Sequence, residues 1–280
     1  MGWPRSLLKR LFKRLLNPAA ERRPRRPMPD TLWQNALAAC PWLQQLSVAD
    51  RARLRELCAL FLEDKEFHGA HDLRITDAMA AQIAVQACLP VLHFGAGSLP
   101  LRWYDDFVTI VVQPEGVVAP RTLMDEHGVV HEYQEELAGE AMPEGPVMLS
   151  WQDVRTASDA EAIAQGYNVV IHEFVHKLDL RDGEADGCPP LPPDFLGLSP
   201  RAAHAHWRDT LQAAYDDFKE ACIKAERFSA PETWLDPYGA EHISEFFAVA
   251  SEGYFVNRAR FTQEHPSLLA LFDAFYRPGA

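Results

Sequence analysis

The sequence predicts an α+β fold, mostly helical, with one small antiparallel sheet beside a central helix. In most of the chain apolar residues recur at the spacing of a helix face, whereas residues 103–152 change to short alternating runs separated by turns rich in Pro, Gly and Glu. The segment from Tyr167 to Asp179 follows these runs and is strongly apolar around the pattern His-Glu-x-x-His. Such a segment is typical of a buried helix, and its place in the chain puts the sheet beside it.

Cap signals predict the helices that precede the sheet. Asp30 is expected to begin a helix to about Cys40, and Ser47 a longer one to about Phe67. Thr76 is expected to begin a third helix, from Asp77 to Pro90. Apolar positions on these helices indicate that they are packing elements.

The remaining elements are predicted from changes in the spacing of apolar residues along the chain. Strands are expected at 107–112, 129–133 and 147–151, and Ser158 with the acids after it marks a helix start ahead of the central helix. An acidic, Pro-rich loop at 181–194 comes next, and later helices are expected at roughly 200–228, 241–254 and 265–276. An edge strand of such a sheet can hold an extended peptide by pairing with it.

The first 30 residues differ in composition from the rest. They carry nine Lys or Arg against two acidic residues; apolar residues fall at helical spacing in the first 16 positions, and Pro and Arg dominate positions 18–30. We therefore predict a basic amphipathic tail and linker over residues 1–30 and a single domain over residues 31–280. A disordered tail is the favoured interpretation, with weak contact to an anionic membrane surface or binding to a partner as alternatives.

The composition of the chain narrows the range of possible functions. With 48% hydrophobic and 24% charged residues the chain is typical of a soluble globular protein. The net charge is −13, and the 250 residues after the tail hold 18 basic and 38 acidic residues, which repel phosphates and argue against direct nucleic-acid binding. Five scattered cysteines without a Cys-x-x-Cys pair suit a reducing compartment, so we expect a cytoplasmic protein.

The central helix carries a candidate metal site. His172 and His176 are four residues apart, so both imidazoles leave one face of the helix while Glu173 points towards an adjacent face. This is the geometry of two zinc ligands and a general base. The alternative is an accidental match of hydrogen-bonded core residues, although polar groups in so apolar a helix cost about 1–3 kcal/mol each without partners.

A catalytic zinc ion takes three protein ligands and leaves one position for water. In one large class of zinc enzymes the third ligand is a His six residues after the second, with a Gly three residues after the second. Asp182 and Asp179 occupy those places in this chain, so that class fits badly. Asp179 is instead a candidate for orienting His176, with a solvent-facing carboxylate as the alternative.

In the other class a Glu from a later helix completes the site. Glu241, Glu245 and Glu252 lie close to one stripe of the helix expected at 241–254, and periodicity alone does not choose among them. Glu245 is favoured because Ile243 and Phe246 flank it and would draw it inward.

Two motifs make a resemblance specific. The run from His172 to Asp179, HEFVHKLD, and the run from Tyr238 to Val249, YGAEHISEFFAV, with Glu252 after it, resemble the Mlc titration factor A family of zinc peptidases. The catalytic core of that family is related to the peptidase domain of anthrax lethal factor. The likeness extends from about Trp33 to Tyr276.

The resemblance implies a zincin-like metallopeptidase fold and a role for each matched residue. His172, His176 and Glu245 would bind one zinc ion per chain, as in the gluzincin type, and Glu173 would be the general base. Tyr238 would face the substrate and donate a hydrogen bond to the oxyanion, and a packed aromatic residue at a turn is the alternative interpretation.

The resemblance also implies a function. Family members are similar to aminopeptidases in their activity on test substrates, and one bacterial branch binds the glucose repressor Mlc and relieves repression of sugar-uptake genes. We therefore expect an aminopeptidase-like zinc peptidase acting on peptides, with direct binding of a Mlc-like repressor as a second expectation. The alternative is a regulatory protein that sequesters a transcription factor and holds a non-catalytic zinc ion. Glu173 favours the enzyme, because a structural site needs ligands but no base.

Overall fold

The computed structural model describes residues 26–124, 130–137 and 139–278. The amphipathic helix predicted for the first 16 residues lies outside them. The helices are α1 (Asp30–Ala39), α2 (Val48–Asp64), α3 (Asp77–Ala87), α4 (Trp151–Thr156), α5 (Ala160–Gln165), α6 (Val169–Asp179), α7 (Pro200–Phe228), α8 (Ile243–Val256), α9 (Arg258–Glu264) and α10 (Pro266–Tyr276). The strands are β1 (Glu66–Gly69), β2 (Thr109–Gln113), β3 (Val117–Met124), β4 (Val130–Leu137), β5 (Gly139–Ala141) and β6 (Val147–Ser150). The prediction of a mostly helical α+β fold is confirmed.

The main sheet is mixed, so the prediction of an antiparallel sheet was wrong. Its strand order is β1-β2-β6-β5; β1 and β6 both run parallel to β2, and only β5 is antiparallel to its neighbour β6. Parallel strands need long crossover connections, and α3 lies between β1 and β2 in the chain. A separate hairpin of β3 and β4 forms a second, antiparallel sheet.

Strand β1 was missed, because the helix predicted to reach Phe67 ends at Asp64. The next residue, Lys65, is buried, and its ammonium donates hydrogen bonds to the carbonyls of Tyr104 and Phe107. These partners lie about 40 positions along the chain, so the helix end is set by tertiary contacts that no local signal announces.

Two of the predicted caps are present, whereas Asp30 is the first helical residue of α1, whose N-cap is Pro29 without a side-chain hydrogen bond. The side chains of Ser47 and Thr76 accept hydrogen bonds from the backbone N–H groups of Asp50 and Met79, at 3.0 and 3.2 Å. Satisfying these first-turn donors fixes where α2 and α3 begin.

The helix expected to begin near Ser158 is interrupted before the central one. Helix α5 ends at Gly166, whose φ of 78° lies in the left-handed region, and α6 begins anew with Asn168, whose side chain accepts the Ile171 N–H at 2.9 Å. Gly166 also packs on α8, since a Cβ atom there would lie 2.9 Å from the Cα of Gly253. The lack of a side chain at Gly166 therefore lets the turn between α5 and α6 lie directly against α8.

Helix α6 runs through the core. Phe174 on α6 packs against the rings of Phe61, Tyr104 and Phe107, at centroid distances of 5.7, 5.0 and 6.0 Å. Helix α8 packs along α6, and a second aromatic cluster lies around its Phe247. Both helices are thus held rigidly by large buried side chains. Among the helices of the described ranges, none combines the length and the apolar character needed to cross a bilayer.

Candidate metal centre

Three side chains from two helices meet at one point. His172 and His176, one turn apart on α6, place their Nε2 atoms 3.1 Å from each other. Glu245, in the first turn of α8, places Oε2 3.1 Å from each of these nitrogens. The structure thus brings together the residues that the sequence favoured, in a near-equilateral triangle of potential ligand atoms.

The triangle suits a zinc ion. Donor atoms about 2.0–2.2 Å from a tetrahedral ion are about 3.3–3.6 Å from one another, a few tenths of an ångström more than the 3.1 Å spacing in this triangle. Two imidazole nitrogens and one carboxylate oxygen are also a donor set that zinc prefers. Within the described part of the chain, this trio is the group of His, Cys, Asp or Glu residues whose ligand atoms lie close enough to hold an ion.

The other two acids considered from sequence lie elsewhere. Glu241 is exposed and precedes α8. Glu252 is buried two turns beyond Glu245, and its Oε1 lies 2.8 Å from Nδ1 of His172, on the opposite side of that ring from the triangle. Its Oε2 accepts the backbone N–H of Asn168.

Glu252 therefore orients His172, a role that sequence reasoning missed. By accepting a hydrogen bond from Nδ1–H, its carboxylate fixes the ring so that Nε2 of His172 faces the triangle. The only sequence signal was the spacing of seven residues from Glu245, which puts both acids on one face of α8. Burial alone would lower the pKa of His172, but hydrogen bonds to Glu245 and Glu252 outweigh it and raise that pKa well above its usual value.

Glu173 faces the sheet. It is buried, and strand β5 passes directly over it: a Cβ atom at Gly139 would lie 2.5 Å from Oε1 of Glu173. Burial raises the pKa of Glu173 to about 8; His172 opposes this shift, and the neighbouring acids Glu245 and Glu252 add to it. A carboxylate in this environment has an increased affinity for a proton, as a general base requires.

Tyr238 stands beside the trio. It lies in the short turn Pro237–Ala240, where the side chain of Asp236 accepts the Tyr238 N–H at 3.0 Å. The centroid of its ring is 6.1 Å from that of His172. The ring is half-buried and therefore borders the candidate site.

Asp179 differs from both expectations. It is fully buried, so a solvent-facing carboxylate was wrong, and its Oδ2 accepts the N–H of Gly187 at 2.9 Å in the loop after α6. Its Oδ1 has no hydrogen-bond partner within the described residues. Burial raises the pKa of Asp179 to about 8, aided by Asp186 and Asp182 and opposed by the N–H of Gly187.

This raised pKa predicts a loss of stability between about pH 4 and 8. The folded state keeps Asp179 protonated in that range while the unfolded state ionises, so the free energy of unfolding falls as pH rises. Asp179→Asn stays neutral and still accepts the Gly187 N–H, so we expect it to exceed wild type at pH 9 by on the order of 2–4 kcal/mol. Chemical unfolding at pH 5 and pH 9 measures the difference. Asp182→Asn, at an exposed position, is the control. If the free energy of unfolding changed between pH 5 and pH 9 by the same amount in Asp179→Asn as in wild type, the prediction would be contradicted.

Comparisons with known proteins find a matching family model and similar sequences. A family model described as glucose-regulated metallo-peptidase M90 matches residues 16–277, beginning earlier than the likeness recognised from Trp33 onward. Proteins named Mlc titration factor A are similar over most of their length. The protein from Klebsiella pneumoniae (strain 342) is 33% identical over 246 residues, which are 88% of this chain and 85% of the relative. The one from Edwardsiella ictaluri (strain 93-146) is 35% identical over 246 residues, 88% of this chain and 86% of the relative.

Proposed function

The chain belongs to the glucose-regulated metallo-peptidase M90 family, and on that premise we propose that it is a zinc-dependent, aminopeptidase-like enzyme. The observation that carries the proposal is the triangle of His172, His176 and Glu245 next to the buried Glu173. Three ligands leave a tetrahedral zinc ion one open position. A general base beside that position indicates a catalytic site, because a structural zinc site needs ligands but no base.

Each residue of the site has its own proposed role in peptide hydrolysis. His172, His176 and Glu245 would hold the zinc ion, which when bound supplies Lewis acidity to the scissile carbonyl and to water. Glu173 takes the proton of the attacking water and delivers it to the leaving amine. Tyr238 donates a hydrogen bond to the developing oxyanion, a contact that contributes about 2.7–4 kcal/mol in preorganised sites.

Strand β5 is the proposed binding site of the peptide backbone. It is the last strand in the order β1-β2-β6-β5, so β6 pairs with only one of its edges. An extended peptide can pair with the other edge. Gly139 on β5 touches Glu173, so a peptide on that edge would lie next to the base.

The direct experiment is hydrolysis by the purified protein loaded with one zinc ion per chain. We expect release of nitroaniline from amino-acid 4-nitroanilides and of the first residue from short peptides. A zinc-loaded protein that cleaves neither kind of substrate would contradict the proposal.

Gly139→Ala tests the placement of Glu173. The added methyl group overlaps Oε1, Cδ and Cγ of Glu173, at 2.5, 2.8 and 2.6 Å, so the side chain must move away from the water it activates. We expect kcat to fall about 10- to 100-fold, part of the 10²–10⁴-fold that a general base contributes. Zinc content should stay near wild type, and a wild-type kcat would show that the carboxylate does not need its present place.

We propose regulation of a transcriptional repressor of sugar uptake, by direct binding, as a second function. The specific support is the name of the relatives, Mlc titration factor A, which implies an interaction with Mlc in those proteins. The acidic body of this chain favours a protein partner over DNA. Calorimetry with a purified Mlc-like repressor tests it. If the wild-type protein has no hydrolase activity and Glu173→Gln still binds the repressor, the results would favour the alternative of a sequestering protein with a non-catalytic zinc site.

We further propose that the chain acts in the cytoplasm, with residues 1–30 as an appendage to a single domain over 31–280. All five cysteines are free, as a reducing compartment requires. Co-sedimentation with anionic liposomes, for chains with and without residues 1–30, tests weak membrane contact by the basic tail.

A further inference from the structure

Lys177 follows the second histidine of α6 and is completely buried. Its side chain has no exposed surface. Lysines are almost never fully buried unless paired, because removing an ammonium group from water is costly. This side chain is therefore held in place by specific partners.

Those partners belong to two segments of the chain, the loop before β2 and the residue after β5. The ammonium group forms an ion pair with Asp106, just before β2, and lies 4.7 Å from the centroid of the Phe107 ring. It also donates a hydrogen bond of 2.9 Å to the carbonyl of Met142, the residue that directly follows β5. One charge thus ties the active-site helix to the end of β5.

Glu173 and Lys177 are four residues apart, so they lie on the same face of α6. Glu173 meets the first residue of β5, Gly139, and Lys177 meets the carbonyl just after its last residue. Strand β5 therefore runs along α6 and is contacted at both ends by side chains of the helix that carries the base and two candidate ligands.

We propose that Lys177 is a positioning residue for the peptide substrate. By fixing Met142 it sets where β5, and any peptide paired with β5, lies relative to Glu173. The inference rests on the proposed peptidase function, and it concerns binding along the strand, not the bond-breaking step. A longer peptide that pairs with the whole strand depends on Lys177, whereas an amino-acid nitroanilide does not reach that far.

The test uses Lys177→Met combined with Asp106→Asn, so that neither charge is left buried without its partner. We expect KM for a pentapeptide to rise about tenfold, while kcat and KM for an amino-acid nitroanilide stay within about twofold. The matched control is Lys224→Met combined with Glu220→Gln, which removes an exposed ion pair of 2.7 Å on α7, away from the site. Equal effects on both substrates, or none on the pentapeptide, would overturn the proposal.

A binding measurement separates this proposal from the enzymatic one. In a Glu173→Gln background hydrolysis is too slow to disturb a binding measurement, and the Kd of the pentapeptide should weaken about tenfold on adding the paired substitutions. An unchanged Kd refutes the role of Lys177, whereas a wild type that binds peptides but cleaves none refutes only the hydrolase. A crystal structure of Glu173→Gln with the bound peptide tests the same proposal without substituting Lys177. The peptide is expected along residues 139–141, and a peptide bound elsewhere also overturns the proposal.

Discussion

Glu173→Gln is expected to retain zinc and to lower kcat by about 10²–10⁴-fold, the contribution of a positioned general base. The amide keeps the shape of the side chain in its pocket beneath Gly139 but has no basic oxygen pair to accept a proton. The three candidate ligands are untouched, so metal affinity should be preserved. The measurements are steady-state kinetics on an amino-acid nitroanilide and metal analysis of the same sample.

A surface substitution provides the control for this experiment. Glu161→Gln lies on the exposed face of α5 and should behave as wild type in both measurements. If Glu173→Gln turned over substrate at the wild-type rate, proton transfer would belong to another residue. If it lost zinc, Glu173 would have to contribute to metal binding itself.

Glu245→Ala is expected to weaken zinc binding by more than about 100-fold, the upper end of what loss of an outer partner costs a metal site. The carboxylate supplies one of the three donor atoms, and its removal leaves the two histidines of one helix without an anionic ligand. Titration against a fluorescent zinc chelator gives the affinity. Glu241→Ala is the matched control, since it removes an exposed acid four residues earlier, and equal losses in the two variants would contradict the assignment.

The sequence predicted the parts of this site that depend on local periodicity. The spacing of His172 and His176 places both on one face of a helix, and this holds wherever the helix packs. The apolar flanks of Glu245 indicated that it points inward, because a side chain between buried neighbours shares their environment. In the structure these three side chains meet.

What the sequence did not predict depends on contacts between distant segments. The parallel pairing of β1 with β2 joins residues more than 40 positions apart, and no turn signal specifies it. The orientation of His172 by Glu252 joins residues 80 positions apart. Asp179 was placed by its nearness to His176 in the chain, but it bonds to Gly187 in a loop whose path local patterns leave open.

The most direct test of the metal centre is a crystal structure of the zinc-loaded protein with anomalous data collected at the zinc edge. A single strong peak is expected about 2.0–2.2 Å from Nε2 of His172, Nε2 of His176 and a carboxylate oxygen of Glu245. A peak at another place, or one ligated by Glu252 or Glu241 in place of Glu245, would contradict this assignment of the zinc ligands.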